Sequence, residues 1–215
     1  MKKFTITLLL LLLVTAMALA WLSGKQEREA ICFSVFPSIK TPVPPLSKNF
    51  LKLQAKATEA KAFAQKNHFN DEFCFLVDMS LPSYQKRFFV YNLEKDTIEN
   101  AGLVAHGRCN EDWLEGRKYG NTIGCGCTSL GRYKIGKAYQ GRFGLAFKLY
   151  GLDTTNDKAF ERFVVLHSHS CVPEIEVSSD ICQSDGCPTV APGFLRQIEP
   201  IIKQSENPVL LWVFN

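Results

Sequence analysis

His167 closes the apolar run Phe163-Val164-Val165-Leu166, and twenty residues later Cys187 sits in Ser184-Asp185-Gly186-Cys187-Pro188. These two residues carry the clearest chemistry in the chain. A thiol attacks only as its thiolate, so its proton must be lost to a nearby base, and imidazole suits that task. Gly186, just before the cysteine, lets the backbone approach a substrate closely. The N–H groups of Gly186 and Cys187 could then face a developing oxyanion. The pattern is that of a Cys/His acyl-transfer pair. The same residues also fit a half-cystine in a loop beside a buried histidine.

Other residues compete for roles around this pair. His169 lies two positions beyond His167 and would emerge on the same side of a continuing strand, so either ring could be the base. His167 is preferred because it directly ends the apolar run. His106, in Val104-Ala105-His106-Gly107, either satisfies a buried hydrogen bond or lines the cleft as a substrate contact. Eight cysteines leave seven besides Cys187, so at least one is free or pairs outside the chain. A bridge between Cys171 and Cys182 would hold base and nucleophile in register, and Cys109 with Cys125 or Cys127 offers a second. Cys74, in an apolar run, reads as a small core residue. Zinc held by Cys125, Cys127, Cys171, Cys182 and His169 is the competing use, but the C-x2-C spacing is missing. The acyl-transfer chemistry itself requires no metal and no cofactor.

These residues need a framework to position them. The spacing of Phe50, Leu53, Ala57, Ala60 and Ala64 predicts a helix within Leu46 to Phe69, capped by Ser47. Its lysines Lys52, Lys56 and Lys61 read as a solvated face. From Phe73 the period becomes strand-like. Runs are predicted at Phe73–Val77 and Arg87–Tyr91, then, after a turn at Glu94-Lys95-Asp96, in a third run leading into Leu103-Val104-Ala105, and at Gly131–Ile135, Leu145–Leu149 and Phe163–His167. Pro192 to Gln204 reads as a short helix and Pro208 to Phe214 as a last buried strand. The body is therefore mainly β with peripheral helices. With 46% apolar residues it can bury a core, which excludes disorder. Lys2 and Lys3 supply two of the four net positive charges, and the rest are mixed, so no nucleic-acid footprint remains.

Residues 1–20 read as a signal peptide with a small-x-small site at Ala18-Leu19-Ala20. The apolar stretch 4–22 is alternatively a membrane tether. Residues 21–45 read as a linker ending in Thr41-Pro42-Val43-Pro44-Pro45, and 46–215 as the catalytic domain. Either reading of the leader puts the body outside the cytoplasm, where disulfides persist.

Ser184-Asp185-Gly186-Cys187-Pro188 with an upstream strand-end His167 resembles the YkuD-type L,D-transpeptidase catalytic domain. Thr128-Ser129-Leu130-Gly131-Arg132-Tyr133-Lys134-Ile135 is similar to that family's T-P-x-G-x-[FY]-x-[IV] strand. Val104–Gly107, the Tyr139–Gly144 turn and Gly151-Leu152-Asp153 resemble its murein L,D-transpeptidase-like branch. The resemblance implies a β-sandwich with an N-terminal helix, in a bacterial periplasm or cell envelope. It also implies Cys187 as nucleophile, His167 as base, Gly186 with Cys187 as oxyanion donors, and Ser184 as a loop-shaping residue. Ser168 would orient the His167 ring through its main-chain carbonyl, and His169 and His106 would face substrate. The partner would be a peptidoglycan stem peptide, joined to an acceptor amine or, with water as acceptor, trimmed. A non-catalytic envelope-binding module on the same fold is the remaining alternative. The sequence departs from the family at Pro188-Thr189, where the pair after the cysteine usually ends in Arg or Asn. It departs again at Ser129, which replaces a proline, and at Asp185, whose charge opposes thiolate formation.

Overall fold

A computed structural model describes residues 48–215. The expected leader, the 4–22 tether, the 21–45 linker and the Ser47 cap lie outside the described residues. Helix α1 (Lys48–Asn67) is built almost wholly from Ala, Lys, Gln, Glu and Leu, all strong helix formers. Leu53, Ala57, Ala60 and Ala64 make its buried stripe, and the alanines let it approach the sheet closely. That stripe packs on Cys74, Leu76, Tyr91, Leu93, Leu210 and Phe214. The lysines are not a free solvated face. Lys52 pairs with buried Asp78 at 3.1 Å, Lys56 lies 4.4 Å above the Trp212 ring, and Lys61 donates to the Leu93 carbonyl. They staple the helix to the sheet.

Nine strands form one sheet: β1 (Phe73–Asp78), β2 (Phe88–Asn92), β3 (Thr97–Gly102), β4 (Val104–Ala105), β5 (Gly131–Gly141), β6 (Gly144–Gly151), β7 (Val165–Ser168), β8 (Thr189–Val190) and β9 (Leu210–Phe214). Their spatial order is β3-β2-β1-β9-β5-β6-β7-β8-β4. Only Leu103 separates β3 from β4, yet these are the two outermost strands. One residue spans a few ångströms, so the edges must meet and the sheet curls into a barrel-like form. Alternation sorts the side chains to two faces. Phe75, Val77, Leu211 and Val213 enter the inner core with Phe194, Leu195 and Ile198 of α2 (Pro192–Gln204), while Cys74, Leu76 and Leu210 face α1.

The described residues are mainly β with two helices, one at their N-terminal side, as the sequence implies. Several strand boundaries differ from expectation: β5 runs on to Gly141, six residues past Ile135, and β6 extends to Gly144 and Gly151. The run into Leu103 divides into β3 and β4 at opposite edges. β7 begins at Val165 rather than Phe163, because Phe163 turns out of the chain path with φ 57° and 84% exposure. Strand β8, two residues long, is too short to show a period in the sequence.

Candidate functional site

Strands β7 and β8 run parallel, with His167 opposite Thr189 and Ser168 opposite Val190. Cys187, two residues before Thr189, is thereby set beside Val165, whose N–H reaches its Sγ at 3.4 Å. The loop leading to Cys187 is sewn to the end of β4. Ser184 N–H donates to the His106 carbonyl and the Arg108 N–H donates to the Ser184 carbonyl, each at 2.8 Å. The Ser184 hydroxyl donates to the Cys187 carbonyl at 2.7 Å and accepts the Gly186 N–H at 3.2 Å. Gly186 has φ 105°, and a Cβ there would lie 2.6 Å from the Cys127 carbonyl oxygen, so the position tolerates only glycine. With the Gly186 N–H held by Ser184, the Cys187 N–H is the donor left to aim at an oxyanion.

The Ser168 carbonyl, an acceptor only, lies 3.1 Å from His167 Nδ1, so that nitrogen carries the proton. Nε2 of the neutral ring then holds a lone pair, which accepts from the Thr189 hydroxyl at 3.0 Å. Burial lowers the His167 pKa below its ordinary value of 6.5; the Ser168 carbonyl opposes this and His169 reinforces it. Burial also pushes the Cys187 thiol up. The Val165 N–H and Arg162 favour the thiolate, while Asp185 disfavours it. Asp185 itself is exposed and paired with Arg108 at 2.8 Å. Both shifts favour the uncharged forms, a thiol and a neutral imidazole.

Cys187, His167, His169, Ser184 and Thr189 line one cleft of about 330 Å³, roofed by Phe143. Phe143 occupies the tight β5–β6 turn. Its ring stacks on His167 at 5.0 Å and meets His169 edge-on at 5.5 Å. His169 accepts the Cys171 N–H through Nδ1 at 3.1 Å, which ties its ring to the neighbouring loop. Ser168 contributes its carbonyl, as described. Of the two readings of His106 the structure favours the buried one: it is 5% exposed and not among the cleft-lining residues, with Nδ1 accepting from Arg87 at 3.1 Å. The strand end that carries it points inward, toward the fully buried Arg87. Burial first, then the Arg87 and Arg117 charges, hold its pKa at about 4.

Three contributors escaped the sequence reading. Thr189 had shown only as a departure from a motif, and Phe143 only as part of a turn. Arg162 gave no signal; its guanidinium donates to the carbonyls of Gly120 and Cys127 and so braces the floor under Gly186. Disulfides join Cys171 to Cys182 and Cys109 to Cys127, which consumes three of the four cysteines a zinc site would draw on. Among the described residues no group of His, Cys, Asp and Glu could hold a metal ion. Cys74, Cys125 and Cys187 keep free thiols.

A curled β-domain that opens a free thiol and a neutral imidazole onto one cleft has the build of a cysteine acyl-transfer enzyme. The sequence model of the L,D-transpeptidase catalytic domain, YkuD-type, matches residues 45–212, and the chain belongs to that family. The family comprises L,D-transpeptidase-type enzymes that act on peptidoglycan. A search of curated proteins returned no match. Among the described residues no helix is long and apolar enough to cross a membrane.

Proposed function

We propose that this protein is an exported, cysteine-dependent peptidoglycan L,D-transpeptidase. Cys187 Sγ attacks the carbonyl of the third residue of a stem peptide while its proton passes to His167 Nε2. The C–N bond to the terminal D-amino acid breaks, and His167 returns the proton to that departing amine. The thioester left on Cys187 is opened by an acceptor amine, which makes the cross-link and frees the thiol. The Cys187 N–H holds the oxyanion. Thr189 follows the proton: its hydroxyl donates to neutral Nε2, and once Nε2 is protonated it accepts and turns its own hydrogen to the Cys187 carbonyl, 3.3 Å away.

The observation that carries this reading is that the Cys187 thiol is free and shares a cleft with His167, whose Nδ1 is held by the Ser168 carbonyl so that Nε2 keeps the lone pair. The two disulfides fit an oxidising compartment such as the periplasm. The test is incubation with a carbapenem followed by intact mass and peptide mapping. A stoichiometric adduct on Cys187, absent in Cys187→Ala and slowed in His167→Ala, is the expected result. An unreacted Cys187 would remove the acyl-transfer reading.

One observation favours hydrolysis as the second step. The position where the family usually carries Arg or Asn is Thr189, which is 3% exposed and engaged with His167, so it offers no partner to a substrate carboxylate. Digestion products separate the outcomes: dimers linked between third residues for transpeptidation, shortened monomers alone for an L,D-carboxypeptidase.

A further inference from the structure

Behind the catalytic turn lies a second, larger concavity of about 870 Å³, between the β5–β6 hairpin and the segment that follows α2. Its hairpin wall carries Lys134, Lys137 and Lys148, all exposed, and among the described residues none of the three forms an ion pair. The opposite wall brings Lys203, which is paired with Glu199, and the polar residues Ser205 and Asn207, with Glu206 as the one acid lining the groove. Like charges crowded on one wall repel and gain from an anionic occupant.

Aromatic rings interleave with these cations. Lys134 Nζ lies 4.9 Å over Tyr150, while Lys148 Nζ lies 5.8 Å over Tyr139 and 5.4 Å over Phe160, which stacks on Tyr150. Such contacts hold flexible ammonium groups in place before a ligand arrives. Strand β5 makes room for the rings. A Cβ on Gly136 would lie 2.5 Å from the Tyr150 ring and one on Gly141 would lie 3.2 Å from Tyr139, so both tyrosines lie close against the strand. From Lys134 to Tyr139 the wall runs about 17 Å. Fixed cations beside flat rings suit sugar rings that carry carboxylates, the rings taking the apolar sugar faces.

The groove's hairpin wall shares a face of the sheet with His167. Tyr139 pairs with Ala146, and Ala146 pairs with His167, so these three form one row across β5, β6 and β7. Lys148, two residues beyond Ala146, faces the same side. Tyr139 and His167 are thus two strand spacings apart, about 10 Å.

We propose that this groove docks the anionic glycan–peptide strand whose stem peptides enter the cleft. The proposal rests on the peptidoglycan reading above and adds a separate binding site to it. Three exposed lysines, each contributing a few-fold, give an expected loss of about tenfold when removed together.

The experiment is co-sedimentation of the full chain, as Cys187→Ala, with purified peptidoglycan sacculi across a salt series. The triple variant Lys134→Gln/Lys137→Gln/Lys148→Gln is expected to pellet about tenfold more weakly and to lose most of its salt dependence. The control Lys66→Gln/Lys86→Gln/Lys118→Gln removes the same charge elsewhere and is expected to bind like the parent. Thermal melts of both variants verify folding. Equal losses in the two variants would overturn the proposal, and so would retention of groove-variant binding. Binding to anionic phospholipid vesicles but not to sacculi would also overturn it. Carbapenem acylation of Cys187 in the parent chain is scored separately. Its failure would count against the enzyme reading, whereas pelleting of Cys187→Ala judges the groove alone.

Discussion

Thr189→Val replaces a hydroxyl by a methyl of nearly the same size at a position that is 3% exposed. The hydrogen bond it deletes is the 3.0 Å contact to His167 Nε2. In the resting enzyme that contact joins two neutral groups, worth about 0.5–1.5 kcal/mol. Once Nε2 has taken the thiol proton it becomes a charge-assisted bond, worth about 1.5–3 kcal/mol. Only the difference acts on the barrier, about 1–1.5 kcal/mol, so acylation should slow by about tenfold. Loss of the stronger bond also disfavours the imidazolium. The His167 pKa, already below 6.5 through burial, should therefore fall further and carry the acid limb of the rate profile to lower pH. The assay is the pseudo-first-order rate of Cys187 acylation by a carbapenem, followed by intact mass from about pH 5 to 9, with a thermal melt beside it. Thr189→Ser keeps the hydroxyl and should recover most of the rate. A valine variant that reacts at the parental rate with an unshifted profile would refute the argument, as would a serine variant as slow as valine. Faster acylation in the valine variant would mean that the hydroxyl blocks the base.

Gly186→Ala sets a side chain at φ 105° and 2.6 Å from the Cys127 carbonyl oxygen. It should cost about 3 kcal/mol and abolish acylation, read by denaturant unfolding and the same mass assay. Cys171→Ala/Cys182→Ala opens a bridge spanning 11 residues. In the chain-entropy model this lowers stability by about 3 kcal/mol, measured as a fall in the urea midpoint. His106 is buried neutral with its pKa at about 4 against an ordinary 6.5. As pH falls from 6.5 to 4 the unfolded chain takes up a proton that the folded chain refuses, so stability declines by about 3 kcal/mol across that window. His106→Gln should flatten this part of the stability profile, and an unchanged acid slope in the variant would refute the assignment. Phe143→Ala uncovers the His167 ring, relieves the burial that depresses its pKa, and should move the acid limb of acylation upward in pH.

The residues that could be read from the sequence are those whose roles are local. Ser184, Gly186 and Cys187 stand out because a hydroxyl, a glycine and a thiol within four positions build one loop, in which the Ser184 hydroxyl bonds both the Gly186 N–H and the Cys187 carbonyl. Helix α1 declares itself through the spacing of Leu53, Ala57, Ala60 and Ala64. The work of its lysines does not, because Asp78, Leu93 and Trp212 are brought beneath it only by the sheet. Sequence pattern placed His106 at a strand end but could not say which way it faces. That is decided by Arg87, a buried cation from another strand run. Thr189 and Phe143 owe their roles to register, one through the β7–β8 pairing and the other through the β5–β6 turn. Neither pairing has a periodic signal in its own residues.

What the sequence did register at Thr189 was a departure from the family pattern, and the structure shows what fills the vacated role. A side chain that could have held a substrate carboxylate is exchanged for one that turns inward and serves the base. Recognition of an anionic substrate must then come from elsewhere. Arg108 at the cleft rim is already committed to Asp185. Arg142, an exposed cation in no ion pair among the described residues, lies over the Phe143 ring that stacks on His167, and beyond it the lysines of the β5–β6 wall follow the row that runs through Tyr139 and Ala146. On the proposed reading, the loss at one position and the lysine wall are two parts of one arrangement, in which the cleft keeps the proton chemistry and the groove takes the charge.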